Sequence, residues 1–324
     1  MEEKKYYQES RVSNSALSYF EESPALFKKF LDNEIEQEEK VYFNRGKQIH
    51  MAILEPEEFY KNYTYLSFDT PKSEQQKSFC ADYVKNKKKQ SEEEALINAY
   101  KNNYSVKKTD DKISEDAKTL RDKLSSYLEY IDKKDKYKEI LPWSEWDKIH
   151  SLKGQSTLHK KAKELLYDDP FNMSEKSYNE FVIFWEDTLH KVPCKSMIDR
   201  FVIDEENKVI KLIDLKTTSV FKGFKDKARD FKYFRQLAFY WMAIGWYFTH
   251  ELKKDMSQYK LETYIVALRT TENPEIKVYS INDQLLNEGL IEISKLMPLI
   301  GWHYENKQWE HPKEYYNGDG EEKL

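Results

Sequence analysis

Two cysteines, eight glycines and nine prolines are spread over 324 residues, and each scarcity removes a class of protein. Cys80 and Cys194 are too few for a disulfide framework, a four-cysteine zinc site or a four-cysteine iron–sulfur cluster. Two free thiols suit a reducing, cytoplasmic setting. So little glycine and proline argues against a loop-rich all-β fold. No window approaches about 18 uninterrupted apolar residues, so no membrane span is expected. The opening "MEEKKYYQES" lacks the apolar stretch of an export signal. Positive charge is not in excess either: 53 Lys and Arg stand against 58 Asp and Glu, a formal net charge of −5. No global basic field advertises nucleic-acid binding, so any groove for a polyanion has to be built locally.

Aromatic residues are plentiful, with 24 Tyr, 17 Phe and 7 Trp, and they supply much of the core mass. Residues 1–12 read as a flexible, solvated tail. "SNSALSYFEESPALFKKFLD" reads as two short helices, with Ser13 capping the first and Ser23-Pro24 opening the second. "NRGKQIHMAILEPEEF" reads as a third helix that ends near Glu55, because Pro56 cannot continue it well. Gly46, His50 and Ile53 share one face of it, beside Ile49 and Ala52, so His50 points inward. A Lys- and Glu-rich stretch, about 71–170, reads as a helical insertion. From 178 the period changes to three short strands, "YNEFVIFWED", "CKSMIDRFVID" and "NKVIKLIDLKTT". A long helix at about 228–252, two more strands, a helix at 282–304 and a flexible tail over 311–324 complete the chain. The expected architecture is a single α/β (α+β) domain over 13–310 around one sheet.

The second and third strands read as a hairpin closed by Glu205–Lys208. In that register Asp204 meets Val209, Phe201 meets Leu212 and Asp199 meets Asp214. Directly opposed residues share a face, and Lys216, two residues on, joins them. Two carboxylates facing each other repel unless something offsets the charge. Lys216 is one candidate. A divalent cation is another, since hard cations take carboxylate oxygens and keep open water positions. Such an ion polarises a phosphoryl oxygen and acidifies a bound water, and a neighbouring lysine stabilises charge on the phosphate. This set of residue types suits phosphodiester hydrolysis.

"MIDR", thirteen residues and then "DLKTT" resemble the PD-(D/E)XK nuclease core, with Asp199 as the lone acid and Asp214-Leu215-Lys216 as the D-x-K element. "YFRQLAFYW" resembles the glutamine–tyrosine helix of RecB-type nucleases, in which Gln236 and Tyr240 share a face. "NRGKQIHMAILEPEEF" and "VSNSALSYFEESPALFKKFLD" resemble the RecE (exonuclease VIII) branch. The resemblance covers 12–65 and 178–245 well and the Lys-rich insertion poorly. It implies a central mixed sheet flanked by helices. It implies His50, Asp199, Asp214 and the Leu215 backbone carbonyl as ligands of one or two Mg²⁺ or Mn²⁺ ions, with Lys216 positioning the attacking water. Glu180 matches an acidic position that would hold a second metal or a water. Gln236 and Tyr240 would brace the site or touch the DNA backbone, and Arg45 is the candidate for a terminal phosphate, since arginine offers a bidentate fork.

The implied activity is 5′→3′ degradation of one strand from duplex DNA ends during recombination, in a phage-derived protein of the bacterial cytoplasm. The implied partners are a RecT-like single-strand annealing protein and further copies of the chain in a ring around DNA. Other readings remain. One is a RecB-like or CRISPR-adaptation nuclease, although the latter normally carries a four-cysteine cluster. Another is a catalytically idle DNA-binding or inhibitory module on the same fold. Each residue also has a plain role on its own: Asp214 and Lys216 as a structural ion pair, His50 as a core histidine, Gln236 and Tyr240 as helix packing. The other six histidines show no ligand spacing. "KNKKK" (85–89) and "KKDKYK" (133–138) suit either phosphate contacts or a solvated face.

Overall fold

The computed structural model describes residues 2–35, 41–65, 68–104, 107–133, 138–271 and 273–318. Contacts divide the chain into two units, Met1–Pro56 with Lys148–Leu324, and Glu57–Asp147. Helices α1 (Glu2–Gln8), α2 (Asn14–Glu22), α3 (Pro24–Leu31) and α4 (Val41–Leu54) come first. Local chemistry sets their ends as the sequence suggests. The Ser13 hydroxyl accepts from the Ala16 amide at 3.3 Å and the Ser23 hydroxyl from Leu26 at 3.0 Å, with Pro24 in the first turn.

The second unit holds α5 (Pro56–Asn62), strand β1 (Tyr63–Tyr65), α6 (Glu74–Asn86), α7 (Glu92–Asn103), α8 (Asp110–Lys123), α9 (Ser125–Lys133) and β2 (Glu139–Leu141). Phe79, Leu96, Ile113, Ala117 and Leu124 give α6 to α9 a core of their own. A capping box at Ser91 and Glu94 starts α7. The expected insertion at 71–170 therefore takes narrower bounds on its C-terminal side. Most of α10 (Trp143–Leu158) and all of α11 (Lys160–Leu166) belong to the first unit. Residues 134–137 of the second lysine run lie outside the described residues.

The first unit continues with β3 (Glu175–Asp187), β4 (Val192–Asp204), β5 (Val209–Thr218), α12 (Phe224–Asp230), α13 (Tyr233–Tyr247), β6 (Lys260–Arg269), β7 (Glu275–Ile281), α14 (Asp283–Asn306) and α15 (Lys313–Asn317). One mixed sheet results, in the order β3-β4-β5-β6-β7. β5 and β6 run parallel and the other neighbours antiparallel. The β4–β5 hairpin has the expected register, with Asp204 opposite Val209 and Phe201 opposite Leu212. The Asp204 carboxylate fixes the turn by accepting from the Glu206 and Asn207 amides at 3.1 and 2.9 Å. On one face, Ile210 and Leu212 of β5 and Ile265 and Ala267 of β6 join Leu237, Phe239 and Ile244 of α13 and Ile293, Met297 and Ile300 of α14 in a single core.

Three segments depart from the sequence expectation. Residues 1–12, read as tail, include α1, and Val12 pairs with β4: its amide donates to Pro193 at 2.9 Å, and Lys195 donates back at 2.8 Å. The Lys195 ammonium donates to the Tyr6 and Glu9 carbonyls at 2.8 Å each. A cation at these closing carbonyls is favourable. Within 311–324, Lys313–Asn317 is helical, and 319–324 lie outside the described residues. The single helix expected at 228–252 is two, because Lys232 adopts a left-handed conformation (φ 59°, ψ 32°) that ends α12 and starts α13.

α14 seals this break. A methyl group on Gly289 would stand 2.3 Å from the Phe234 carbonyl oxygen and 2.8 Å from the Arg235 Cα, so the two backbones touch. Gly289→Ala is expected to cost about 1–3 kcal/mol, and thermal melts should fall by several degrees. A melt equal to wild type would show that the helices separate freely.

Candidate active site

β3 and β4 each break step once, and at the same level. Ile183 and Trp185 of β3 and Val192, Cys194 and Ile198 of β4 lie in the core at every second position. The next core-facing residues are three positions further on in β4, at Phe201, and three apart in β3, at Tyr178 and Phe181. Glu180 and Asp199 fall in these gaps. The register is continuous on both sides, Asn179 with Arg200 and Phe181 with Ile198. Glu180 takes φ 45°, a conformation that costs a non-glycine residue about 1–3 kcal/mol. Irregularities of this kind re-aim side chains beside functional sites. Here they take two carboxyl groups out of the alternation.

The β4–β5 ladder ends at Arg200 and Ile213. Just beyond, Asp199 takes the next free donor: its Oδ2 accepts from the Leu215 amide at 2.7 Å. Asp214, in step with core residues Ile210 and Leu212, is 1% exposed. The Lys216 ammonium lies 3.0 Å from its Oδ1 and 2.9 Å from its Oδ2. Oδ2 makes no directed hydrogen bond and is buried.

α4 brings His50 to these strands. Its Nδ1 is 3.7 Å from Asp199 Oδ2 and 4.0 Å from Glu180 Oε1. Ile49, Ala52 and Ile53 are buried on the same helix, and Gly46 lies beside β5, where a methyl would make ordinary contact with Thr217 Oγ1 at 3.5 Å. Asn179 ties the helix end to the strands. Its amide donates to the Leu54 carbonyl at 2.9 Å, and its oxygen accepts from Arg200 at 2.7 Å. Arg200 is buried and also reaches the Leu165 carbonyl and Asp168. α13 supplies Gln236, which donates to the Tyr240 hydroxyl at 2.8 Å, and Tyr233, whose ring lies 4.9 Å from the Lys216 ammonium.

Burial dominates the electrostatics. It pushes the Asp214 carboxyl up to about 6, against the pull of Lys216 and with help from Asp199. It raises Asp199 as well, opposed by Lys216 and the Leu215 amide. It brings His50 down to about 4, assisted by Lys216, so His50 is a neutral imidazole with a free lone pair at neutral pH. Burial would lower the Lys216 ammonium too, but Asp214 and Asp199 outweigh it, and the net shift is upward. The Tyr240 hydroxyl stays protonated through burial and the two aspartates.

The sequence-derived candidates therefore fall into three groups. His50, Glu180 and Asp199 present ligand atoms all within 4.8 Å of one another. Asp214 and Lys216 form an ion pair beside them. Gln236 and Tyr240 stand together on α13. Leu215 enters through its amide, and Arg45 lies half-buried on α4 next to Gly46. The donor set fits a hard divalent cation. It offers two carboxylates, a neutral imidazole and, nearby, the buried Asp214 carboxylate held by Lys216, which is the oxygen-rich composition such ions take. His50, Glu180 and Asp199 would hold the ion, with Asp214 adjoining.

Sequence reasoning missed Tyr233, Asn179, Arg200 and the double break in step. For the last, the signal was present: "YNEF" and "IDRF" each space their core-facing residues by three where the strand elsewhere spaces them by two, and each gap holds an acid.

Over residues 13–314 the chain matches the family described as a PDDEXK-like domain of unknown function (DUF3799), and it belongs to that family. A crystal structure of a candidate exonuclease from Eubacterium rectale aligns with 90% of this chain and 96% of its own, at 13% identity and a TM-score of 0.37. That likeness is too loose to carry an argument. No curated protein matches. Among the described residues no helix is long and apolar enough to cross a membrane.

The shifts of His50 and Asp214 oppose each other in stability. His50, with its folded value near 4, costs stability as pH falls below the unfolded value of about 6.5. Asp214, near 6 when folded, costs stability as pH rises from about 4 to 6. In EDTA, wild type should therefore gain on His50→Gln by about 2–3 kcal/mol between pH 4 and 6.5. Denaturant melts across that range check this, and a difference that does not change with pH would refute it.

Proposed function

We propose that this PD-(D/E)XK family member is a metal-dependent nuclease that hydrolyses phosphodiester bonds in DNA, and that it acts as a RecE-like exonuclease on duplex ends. The observation that carries the reading is the convergence of His50, Glu180 and Asp199 beside the buried Asp214–Lys216 pair. Mg²⁺ or Mn²⁺ held there would polarise a phosphoryl oxygen and lower the pKa of a bound water.

The chain's own residues supply the rest. His50 is neutral and free to ligate. Lys216 stays an ammonium, so it serves as a positive charge and hydrogen-bond donor toward a phosphoryl oxygen or the attacking water. Tyr233 and Asp214 hold that ammonium from two sides. Tyr240 remains a neutral donor, oriented by Gln236. Glu180 and Asp199 sit on strands rather than loops, which suits a site that must hold its geometry. Arg45 is the candidate for a terminal phosphate. Attack from the 5′ end, a single-strand annealing partner and a homo-oligomeric ring follow from the sequence resemblance and complete the proposal. A ring would confine positive charge to its channel and so reconcile DNA binding with a net charge of −5.

The experiment is incubation with linear and circular duplex DNA in Mg²⁺ or EDTA. Loss of linear DNA alone, and only with Mg²⁺, is the expected result, and end-labelled strands then report polarity. Nicked circles would instead indicate an endonuclease, and intact DNA throughout would leave an idle module. Lys216→Ala and Asp214→Ala should each lower cleavage by at least about 100-fold while circular dichroism stays unchanged. Wild-type rates in both would remove the site assignment.

A further inference from the structure

Phe231 is 65% exposed. Single exposed apolar side chains are ordinary, but this one is held in a particular way. Its ring stacks on Tyr233 with centroids 5.9 Å apart and planes 26° apart. Tyr233 in turn lies 4.9 Å from the Lys216 ammonium. Lys216, Tyr233 and Phe231 thus form a chain of contacts from the buried ion pair to solvent.

This chain of contacts depends on Lys232. Its left-handed conformation sets Phe231, at the end of α12, against Tyr233, at the start of α13. That conformation is costly for lysine, and its surroundings hold it there. The Lys232 ammonium lies 3.1 Å from Glu292 and 3.6 Å from Glu21. The buried Arg235 guanidinium is bound by Glu21, Ser18 and Asn14. Gly289 of α14 closes directly on the Phe234 carbonyl. The exposed ring is therefore presented on a braced turn.

The segment that carries it is basic. Residues 220–232 carry five basic and two acidic side chains in a protein of net charge −5. Glu288 takes Arg229 and Glu292 takes Lys232. Lys222, Lys225 and Lys227 make no ion pair among the described residues. An exposed aromatic face at the end of a helix that carries unpaired lysines is suited to an unpaired nucleotide, with the base stacked and the backbone phosphates neutralised.

We propose that Phe231 is a base-stacking platform for the strand being cut, receiving a nucleobase within about three nucleotides of the bond at Lys216. Stacking on an exposed ring requires an unpaired base, so the substrate at this point is a frayed or single-stranded end. The proposal rests on the nuclease reading.

The test uses the full-length protein with Ca²⁺ in place of Mg²⁺ and duplexes carrying 2-aminopurine at successive terminal positions of either strand. Wild type should quench fluorescence at one or two positions. Phe231→Ala should lose that quenching and bind the end roughly five-fold or more weakly. Phe231→Trp should restore both. Quenching by Phe231→Ala equal to wild type would overturn the proposal. So would a loss of affinity in Phe231→Ala that is just as large for an end with an abasic residue at the quenched position, since the ring would then act on structure alone. A wild type that cleaves DNA but quenches nowhere overturns this proposal and leaves the nuclease reading standing. A wild type that neither binds nor cleaves DNA removes both.

Discussion

The site depends on the shared break in step of β3 and β4. A regular strand sends successive side chains to opposite faces, so a carboxylate in register with core residues would be buried in hydrocarbon, and one out of register would face away from α13. At Glu180 and Asp199 the two strands lose alternation together, and the pairing on either side stays intact. The left-handed backbone at Glu180 is the local cost. The ladder around it and the Asn179–Arg200 contact hold it in place. Asp199 then finds the Leu215 amide exposed by the end of the β4–β5 ladder, which ties the kink to the strand carrying Asp214 and Lys216.

Around this frame the charges are interdependent. Asp214 is buried deeply enough to resist ionising, and Lys216 makes its charge tolerable. Lys216 in turn keeps its proton because two aspartates adjoin it. Such a pair is expensive to bury and weak evidence for stability. Its persistence beside three more potential ligands fits a function for the charges. The neutral imidazole of His50 follows from the same burial. Of the ligating groups, His50 is thus held in the form a hard cation takes, while the raised carboxyls of Asp199 and Asp214 would gain from the ion's positive charge.

The supporting helices are positioned by short contacts at their ends. Asn179 holds the α4 terminus, and the break at Lys232 turns Tyr233 over Lys216. None of these contacts is large in energy. Each fixes the direction of a side chain that a longer or looser connection would leave free.

Sequence alone determined the hairpin register, the inward face of α4, the two serine caps and the set of residue types, because these depend on local periodicity and turn chemistry. The acids in "YNEF" and "IDRF" were visible as well, in the widened spacing of core-facing residues, although the break in step they mark was not read. Tertiary structure decided which acids meet. Asp199 turned to an amide and to His50, Glu180 joined them through a backbone conformation no pattern specifies, and Asp214 closed on Lys216. The split of the helix at Lys232 is the same kind of outcome. "DFKYF" has no glycine or proline to stop a helix, and only ion pairs and a glycine brought in from α2 and α14, distant in sequence, make the left-handed lysine the lower-energy choice.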